Sequence, residues 1–194
     1  MMIGGSALNI LWDFDGTLID SYCVYVSNFK KVLGEDVPRH EIMAKLKVSI
    51  PYALSYYGVS DEEIESPSSY RPFAGAAQVL GQANRNVIVT HYPKEEVIRI
   101  LTHYSLLNYF AEIIGPEDGF PKKPDDQAYR YLHEKYHIDL VIGDREVDLI
   151  PAKRLGIKTC MFQNLLEPGA DFYVESYEQL SRILYLKEIR ELSG

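Results

Sequence analysis

The chain has 194 residues, of which 46% are hydrophobic and 25% charged. That balance belongs to a globular protein and excludes disordered, collagenous and disulfide-miniprotein classes, while the length fits one domain or one domain with a small insertion. The net charge of −8 argues against a nucleic-acid partner, because such affinity rests on Lys and Arg neutralising phosphates, so a small anionic substrate needs local cations. No apolar run approaches the about 18 residues of a membrane span. The start, Met1-Met2-Ile3-Gly4-Gly5-Ser6, lacks the basic region of a signal peptide. Cys23 and Cys160 stand far apart in apolar surroundings and are expected as buried thiols in a reducing compartment rather than as a disulfide. A cytoplasmic protein with no membrane partner is the expectation.

Short apolar runs alternate with amphipathic stretches, the pattern of βα units around a mostly parallel sheet. In chain order the first strand is expected at 9–13. The interval 18–71 then breaks the alternation and reads as helices at 24–32, 39–45, 50–57 and 61–66, with no convincing strand. It ends in Ser66-Pro67-Ser68-Ser69-Tyr70-Arg71-Pro72, a turn-rich stretch suited to a hinge. Alternation then resumes: strands at 86–90, 111–114, 139–143 and 157–161, and helices at 75–83, 94–103, 125–136, 147–155 and 177–186. The implied organisation is an α/β, Rossmann-like core from 1–17 and 72–194, carrying a small inserted α-helical cap at 18–71. Placed after the first strand, the insertion is expected over the carboxyl ends of the sheet, where open α/β sheets bind ligands.

The sharpest chemical feature is Ile10-Leu11-Trp12-Asp13-Phe14-Asp15-Gly16-Thr17-Leu18. An apolar strand delivers two carboxylates, two positions apart, onto a tight glycine turn. Like charges about 4 Å apart repel by roughly 4 kcal/mol at an effective dielectric near 20, so such a pair shares a cation or a proton. A second acidic pair closes another strand in Val141-Ile142-Gly143-Asp144-Arg145-Glu146-Val147-Asp148, with Asp148 one helical turn beyond Asp144. An N-cap aspartate alone explains Asp144 nearly as well. Two acidic strand tips in one parallel sheet, however, call for a divalent cation, and oxygen-only ligands favour Mg²⁺. Thr90 ends a strand with a hydroxyl, and Lys122 and Lys123 precede Pro124, which is expected to open a helix. These supply donors for a dianionic phosphate.

The order Asp-Phe-Asp-Gly-Thr, helical insertion, Thr90, Lys123-Pro124 and Gly-Asp-x-x-x-Asp resembles the haloacid dehalogenase superfamily, in its phosphoglycolate phosphatase-like branch, over about residues 9–162. The resemblance implies a Mg²⁺-dependent phosphatase acting on a small phosphomonoester. Carried over residue by residue, it implies that Asp13 is the nucleophile forming an aspartyl phosphate, and that Asp15 first protonates the leaving oxygen and then activates water. It implies Mg²⁺ held by Asp13, the backbone carbonyl of Asp15 and Asp144. It implies further that Thr90 and Lys123 bind phosphoryl oxygens and that Asp148 orients Lys123 and metal-bound water.

Two departures stand out. His91 follows Thr90 where the family usually has Asn, and it is a candidate substrate contact. Asp125 and Asp126 follow Pro124 where a second proline is common. Lys122 competes for the lysine role; Lys123 is preferred because it directly precedes the proline. In the cap, Arg39, His40, Lys45, Lys47, Ser49 and Tyr52 are candidates for specificity, and the 45–49 stretch is expected as a turn that lowers Lys45 and Lys47 toward the substrate. The nearest alternatives are a sugar-phosphate mutase of the same superfamily, whose relatives place a histidine early in the cap where 21–32 has none, and a non-catalytic phosphate-dependent binding module. A dehalogenase or phosphonate hydrolase lacks the second aspartate, which here is Asp15. The expected partner is a small phosphorylated metabolite, and the expected state a monomer or weak homodimer.

Overall fold

The computed structural model describes residues 8–60, 70–165 and 167–185. Six parallel strands form one sheet: β1 (Asn9–Trp12), β2 (Arg85–Val89), β3 (Phe110–Ile114), β4 (Leu140–Gly143), β5 (Lys158–Phe162) and β6 (Phe172–Val174). Their order is β3-β2-β1-β4-β5-β6. The fold class is therefore the α/β, Rossmann-like one expected. The helices are α1 (Tyr22–Leu33), α2 (Arg39–Val48), α3 (Ile50–Tyr57), α4 (Ala76–Gln82), α5 (Lys94–His103), α6 (Gln127–Tyr136), α7 (Glu146–Arg154) and α8 (Tyr177–Tyr185).

The chain divides into two compact units, 1–18 with 72–194 and 19–71. In the sheet unit, alternation along each strand sends side chains to opposite faces. Leu11, Val87, Val89, Val141 and Met161 face one way and pack with Tyr129 and Leu132 of α6 and Leu149 and Ala152 of α7. On the other face Trp12 meets the Tyr177 ring edge-on, with centroids 5.9 Å apart, and Phe162 packs on both Phe73 and Tyr177. The indole of Trp12 is fully buried and its N–H donates to Asn86 Oδ1 at 2.8 Å, while the Asn86 amide donates to Leu80 O at 3.0 Å. Burial of these polar groups is tolerated because each has a partner.

The helical unit has its own core. Tyr22, Val26 and Phe29 of α1 recur at helical spacing and pack with Ile42 and Leu46 of α2, Ala53 of α3 and Val59. The expected helix at 61–66 and most of the turn at 66–72 lie outside the described residues.

Several sequence expectations need correction. No turn covers 45–49: α2 runs through Lys45 and Lys47 to Val48, because the first break is Ser49, whose extended backbone ends α2 and whose Oγ accepts from the Tyr52 N–H at 3.1 Å to cap α3. Pro124 does not open α6, which begins three residues later at Gln127. There the Gln127 N–H donates to Asp125 Oδ1 at 2.9 Å, and this local side-chain turn replaces the first helical turn. Cys23 is exposed rather than buried. Its thiol lies 2.8 Å from Asp20 Oδ2 and 2.9 Å from Arg39 Nη2, polar neighbours from the helical unit itself. Cys160 is buried as expected, and burial pushes its thiol up to about 12. β6 was missed because a three-residue edge strand is too short for an alternation signal.

Asn86→Leu removes the acceptor of a buried indole N–H and should lower unfolding free energy by about 1–3 kcal/mol in urea titration. A change inside ±0.5 kcal/mol, the usual range for surface substitutions, would show that the Trp12–Asn86 pair is dispensable.

Candidate functional site

The strand order reverses direction at β1, which makes the carboxyl edge between β1 and β4 a topological switch point, the crevice where sheets of this kind bind ligands. Asp13 leaves β1 there. Its N–H donates to Ile142 O at 2.9 Å, extending the β1–β4 pairing by one residue and fixing the Asp13 backbone beside Gly143. The chain then turns at Gly16, whose φ of 81° lies in the left-handed region that favours glycine. The turn returns Thr17 to the site, where its hydroxyl donates to Asp13 Oδ2 at 3.3 Å. Tyr177, from the distant α8, donates its hydroxyl to Thr17 O at 2.5 Å.

β4 delivers Asp144, and α7 brings Asp148 back onto the same edge. Both are fully buried. A Cβ on Gly143 would stand 2.4 Å from Asp148 Cβ and 3.0 Å from its Oδ2, so only glycine lets this carboxylate close on the strand tip. The Arg145 N–H donates to Asp148 Oδ2 at 3.1 Å in a capping arrangement at the start of α7, and the Tyr129 hydroxyl donates to Asp148 O at 2.9 Å. Asn164 Nδ2 donates to Asp144 O at 2.9 Å, tying the loop beyond β5 to the same tip.

Lys123 enters from the loop before α6. Its ammonium is 2.6 Å from Asp13 Oδ1 and 2.8 Å from Asp148 Oδ1, with only 2% of its side chain exposed. Lys122 is exposed, so it is Lys123 that meets the carboxylates. Burial by itself works against the ammonium, but Asp13 and Asp148 outweigh it and hold Lys123 above the ordinary lysine range. Asp148 is held below the usual carboxylate range: burial opposes its charge, and Lys123 and then Arg145 overcome that opposition. One ammonium does not serve both partners equally. Burial, then Asp148 and Asp144, push Asp13 up to about 7 against the pull of Lys123 and Arg145. Neighbouring carboxylates that cannot all ionise share a proton or a cation.

Asp13, Asp144 and Asp148 each offer an oxygen within 4.8 Å of the other two. This all-oxygen, buried donor set fits a hard divalent cation. The sequence reading put Asp15 at the metal through its backbone carbonyl and Asp148 beside it. The carboxylate trio brings the Asp148 side chain, admitted by Gly143, within reach of the same ion as Asp13 and Asp144; the expected Asp15 contact is a backbone carbonyl and so is no member of this side-chain set.

Thr90 ends β2 at the same edge, with its N–H on Ile114 O at 3.0 Å. Its Oγ1 accepts from the Tyr92 N–H at 3.0 Å, which leaves the hydroxyl hydrogen to donate. Thr90, His91, Gly115, Phe120, Lys122 and Lys123 border a common recess. In it, His91 Nε2 accepts from the Lys123 backbone N–H at 2.9 Å. Burial, Lys123 and Arg145 push His91 down to about 4.

In the helical unit, Lys45 Nζ lies 4.2 Å from the Tyr56 ring centroid and Lys47 Nζ 4.7 Å from that of Tyr22, so both cations rest on aromatic faces of their own unit. Arg39, His40 and Tyr52 are exposed. Thr17, Arg145, Asn164 and Tyr177 were not singled out from the sequence. Thr17 stood inside the quoted aspartate motif and Arg145 directly after Asp144, so position signalled both; nothing local marks Asn164 or Tyr177.

Lys123→Met strands two buried carboxylates and should cost about 3–5 kcal/mol of stability in metal-free buffer, whereas Lys122→Met at the exposed neighbour should cost within about 0.5 kcal/mol. Equal effects in chemical denaturation would contradict the assignment of the buried ammonium to Lys123.

Similarity to known proteins agrees with this arrangement. Residues 10–162 match the haloacid dehalogenase-like hydrolase family. The phosphoglycolate phosphatase of Vibrio cholerae is 35% identical over 74 residues, 36% of this chain and 32% of that protein, so the aligned part spans about a third of that relative's length. Phosphoglycolate phosphatase 1 of Pseudomonas aeruginosa is 25% identical over 181 residues, covering 77% of this chain and 66% of its own. The crystal structure of a hydrolase from Streptococcus pneumoniae superposes with a TM-score of 0.71 at 27% identity, over 93% of this chain and 100% of that one. With its aspartate-tipped parallel sheet and a family match across most of its length, this chain belongs to the haloacid dehalogenase-like hydrolases.

Proposed function

We propose that the chain is a phosphatase of small phosphomonoesters that carries the phosphoryl group transiently on Asp13. The observation that supports this most is the Lys123 ammonium, buried between Asp13 and Asp148 at the switch point with Asp144 beside them. A nucleophile for phosphorus, a cation to offset phosphoryl charge and a site for a divalent ion then share one edge. The relatives named phosphoglycolate phosphatase favour a small phosphorylated acid as substrate.

In this reading an Asp13 carboxylate oxygen attacks phosphorus, forming an acyl phosphate as the ester P–O bond breaks. Asp15, two residues on and half-buried, gives its proton to the departing alkoxide. It then takes a proton from the water that attacks phosphorus, which frees Asp13 and releases phosphate. Thr90 donates its remaining hydroxyl hydrogen to a phosphoryl oxygen, and Lys123 offsets charge on the transferring group while fixing Asp13. Asp148 keeps the Lys123 ammonium in place through one oxygen, its other oxygen being held by the Arg145 N–H. Asp13, Asp144 and the Asp15 carbonyl would hold Mg²⁺, with Asp148 alongside. When bound, the ion supplies the positive charge that lets an anionic ester approach these carboxylates.

Purified protein should hydrolyse p-nitrophenyl phosphate with Mg²⁺ and lose that activity on chelation. Asp13→Asn keeps the shape but cannot form the acyl phosphate, so turnover should fall about 10³-fold or more. Among phosphoglycolate, sugar phosphates and nucleoside monophosphates, the first should give the highest kcat/KM. Normal turnover by Asp13→Asn, or full activity after exhaustive chelation, would sink this reading.

A further inference from the structure

The loop that carries Lys123 must hold its backbone still if the ammonium is to reach two carboxylates at once. Thr90 and Lys123 come from different connections, after β2 and before α6, and 32 positions separate residues 91 and 123. Among the described residues, the bond from the Lys123 N–H to His91 Nε2, at 2.9 Å, joins these two connections directly at the site. Its donor belongs to the same residue whose ammonium stands 2.6 Å from Asp13 and 2.8 Å from Asp148. We infer that His91 is a positioning residue, which uses an unprotonated Nε2 to lock the Lys123 backbone and so places the Lys123 ammonium between Asp13 and Asp148. His91 acts through Lys123, not on the reacting atoms.

The chemistry is specific about the atom. To accept from an amide, Nε2 must be bare, so the ring proton sits on Nδ1. An imidazolium donates at both nitrogens and would break the bond. The groups that bear on the ring are Lys123, Arg145 and Lys122, which oppose its protonation, and Asp148, which favours it; together with burial they keep it neutral at pH 7. An aspartate or glutamate here would add a further negative charge to an already acidic edge, whereas a neutral imidazole supplies the acceptor without one. A glutamine places its amide oxygen close to where Nε2 stands, while an asparagine reaches only as far as Nδ1.

The kinetic consequence rests on the phosphatase reading, whereas the bond itself does not, and the experiment separates the two. His91→Gln, His91→Asn and His91→Ala are compared with wild type for p-nitrophenyl phosphate hydrolysis at saturating Mg²⁺. The Ala and Asn variants should lose about tenfold in kcat/KM, the factor one ordinary hydrogen bond carries, and Gln should recover to within about twofold of wild type. Melting temperatures should show all three variants folded at the assay temperature, which separates positioning from unfolding. In parallel, a long-range ¹H–¹⁵N correlation spectrum of metal-free wild type at pH 7 should show the His91 ring protonated at Nδ1 and bare at Nε2. The Lys123 amide should exchange slowly in wild type and Gln, and fast in Asn and Ala. A wild type without phosphatase activity, but with this tautomer and exchange pattern, would overturn the proposed function and uphold the lock. A protonated Nε2, a Gln variant no better than Asn, or an Ala variant with full activity would overturn the lock.

Discussion

A single buried ammonium shared between two carboxylates is the interaction on which this sheet edge depends. Lys123 lies against Asp13 and Asp148, and Asp144 adds a third buried carboxylate to the same space. Taking such groups out of water costs several kcal/mol each, and the cost is recovered only where partners are close and hydrogen bonds complete. Lys123 and the neighbouring Arg145 do not fully offset the burial and mutual repulsion that Asp13 meets. The excess appears as the raised pKa of Asp13, which a proton or a divalent cation relieves. Binding of a cation to the folded site alone then also stabilises the fold, so metal affinity and stability are linked quantities.

Everything that brings these four side chains together is backbone geometry set elsewhere. Parallel pairing of β1 with β4 aligns the tips from which Asp13 and Asp144 emerge. Gly143 leaves room for Asp148 to fold back, and the capping bond to the Arg145 N–H holds it there. From the opposite side of the chain, Tyr177 of α8 grips the Thr17 carbonyl while its ring packs on Trp12 and Phe162, so the turn after the first aspartate is anchored in the core. The result is a preorganised polar edge on a tightly packed sheet, which is where electrostatic stabilisation of a charged transition state is most effective.

Much of this was legible because three of the site residues directly follow apolar strands. Asp13, Thr90 and Asp144 are the residues immediately after β1, β2 and β4, whose apolar runs Ile10-Leu11-Trp12, Val87-Ile88-Val89 and Leu140-Val141-Ile142 announce those strands. The helical break after β1 was equally plain, since 18–71 reads as helices with no convincing strand. What escaped depended on contacts remote in sequence. Nothing near Tyr177 says that its hydroxyl reaches Thr17, 160 residues away. β6 is three residues long and gains its identity by pairing with β5. Cys23 read as a buried thiol from its apolar neighbours, but Asp20 and Arg39 surround it instead. The end of α2 was placed too early because lysines do not stop helices; Ser49, capping α3, does.

The central claim is that Asp13 forms a covalent bond to phosphorus, and the most direct measurement is the mass of the peptide containing it. Enzyme with Mg²⁺ is mixed with excess p-nitrophenyl phosphate, quenched in acid within the first turnovers and digested under acidic conditions, which preserve acyl phosphates. The account predicts that a fraction of this peptide gains the mass of one phosphoryl group, that fragmentation places it on Asp13, and that Asp13→Asn shows none. A phosphoryl group found on another residue, or hydrolysis that proceeds with no phosphorylated peptide at any quench time, would contradict it.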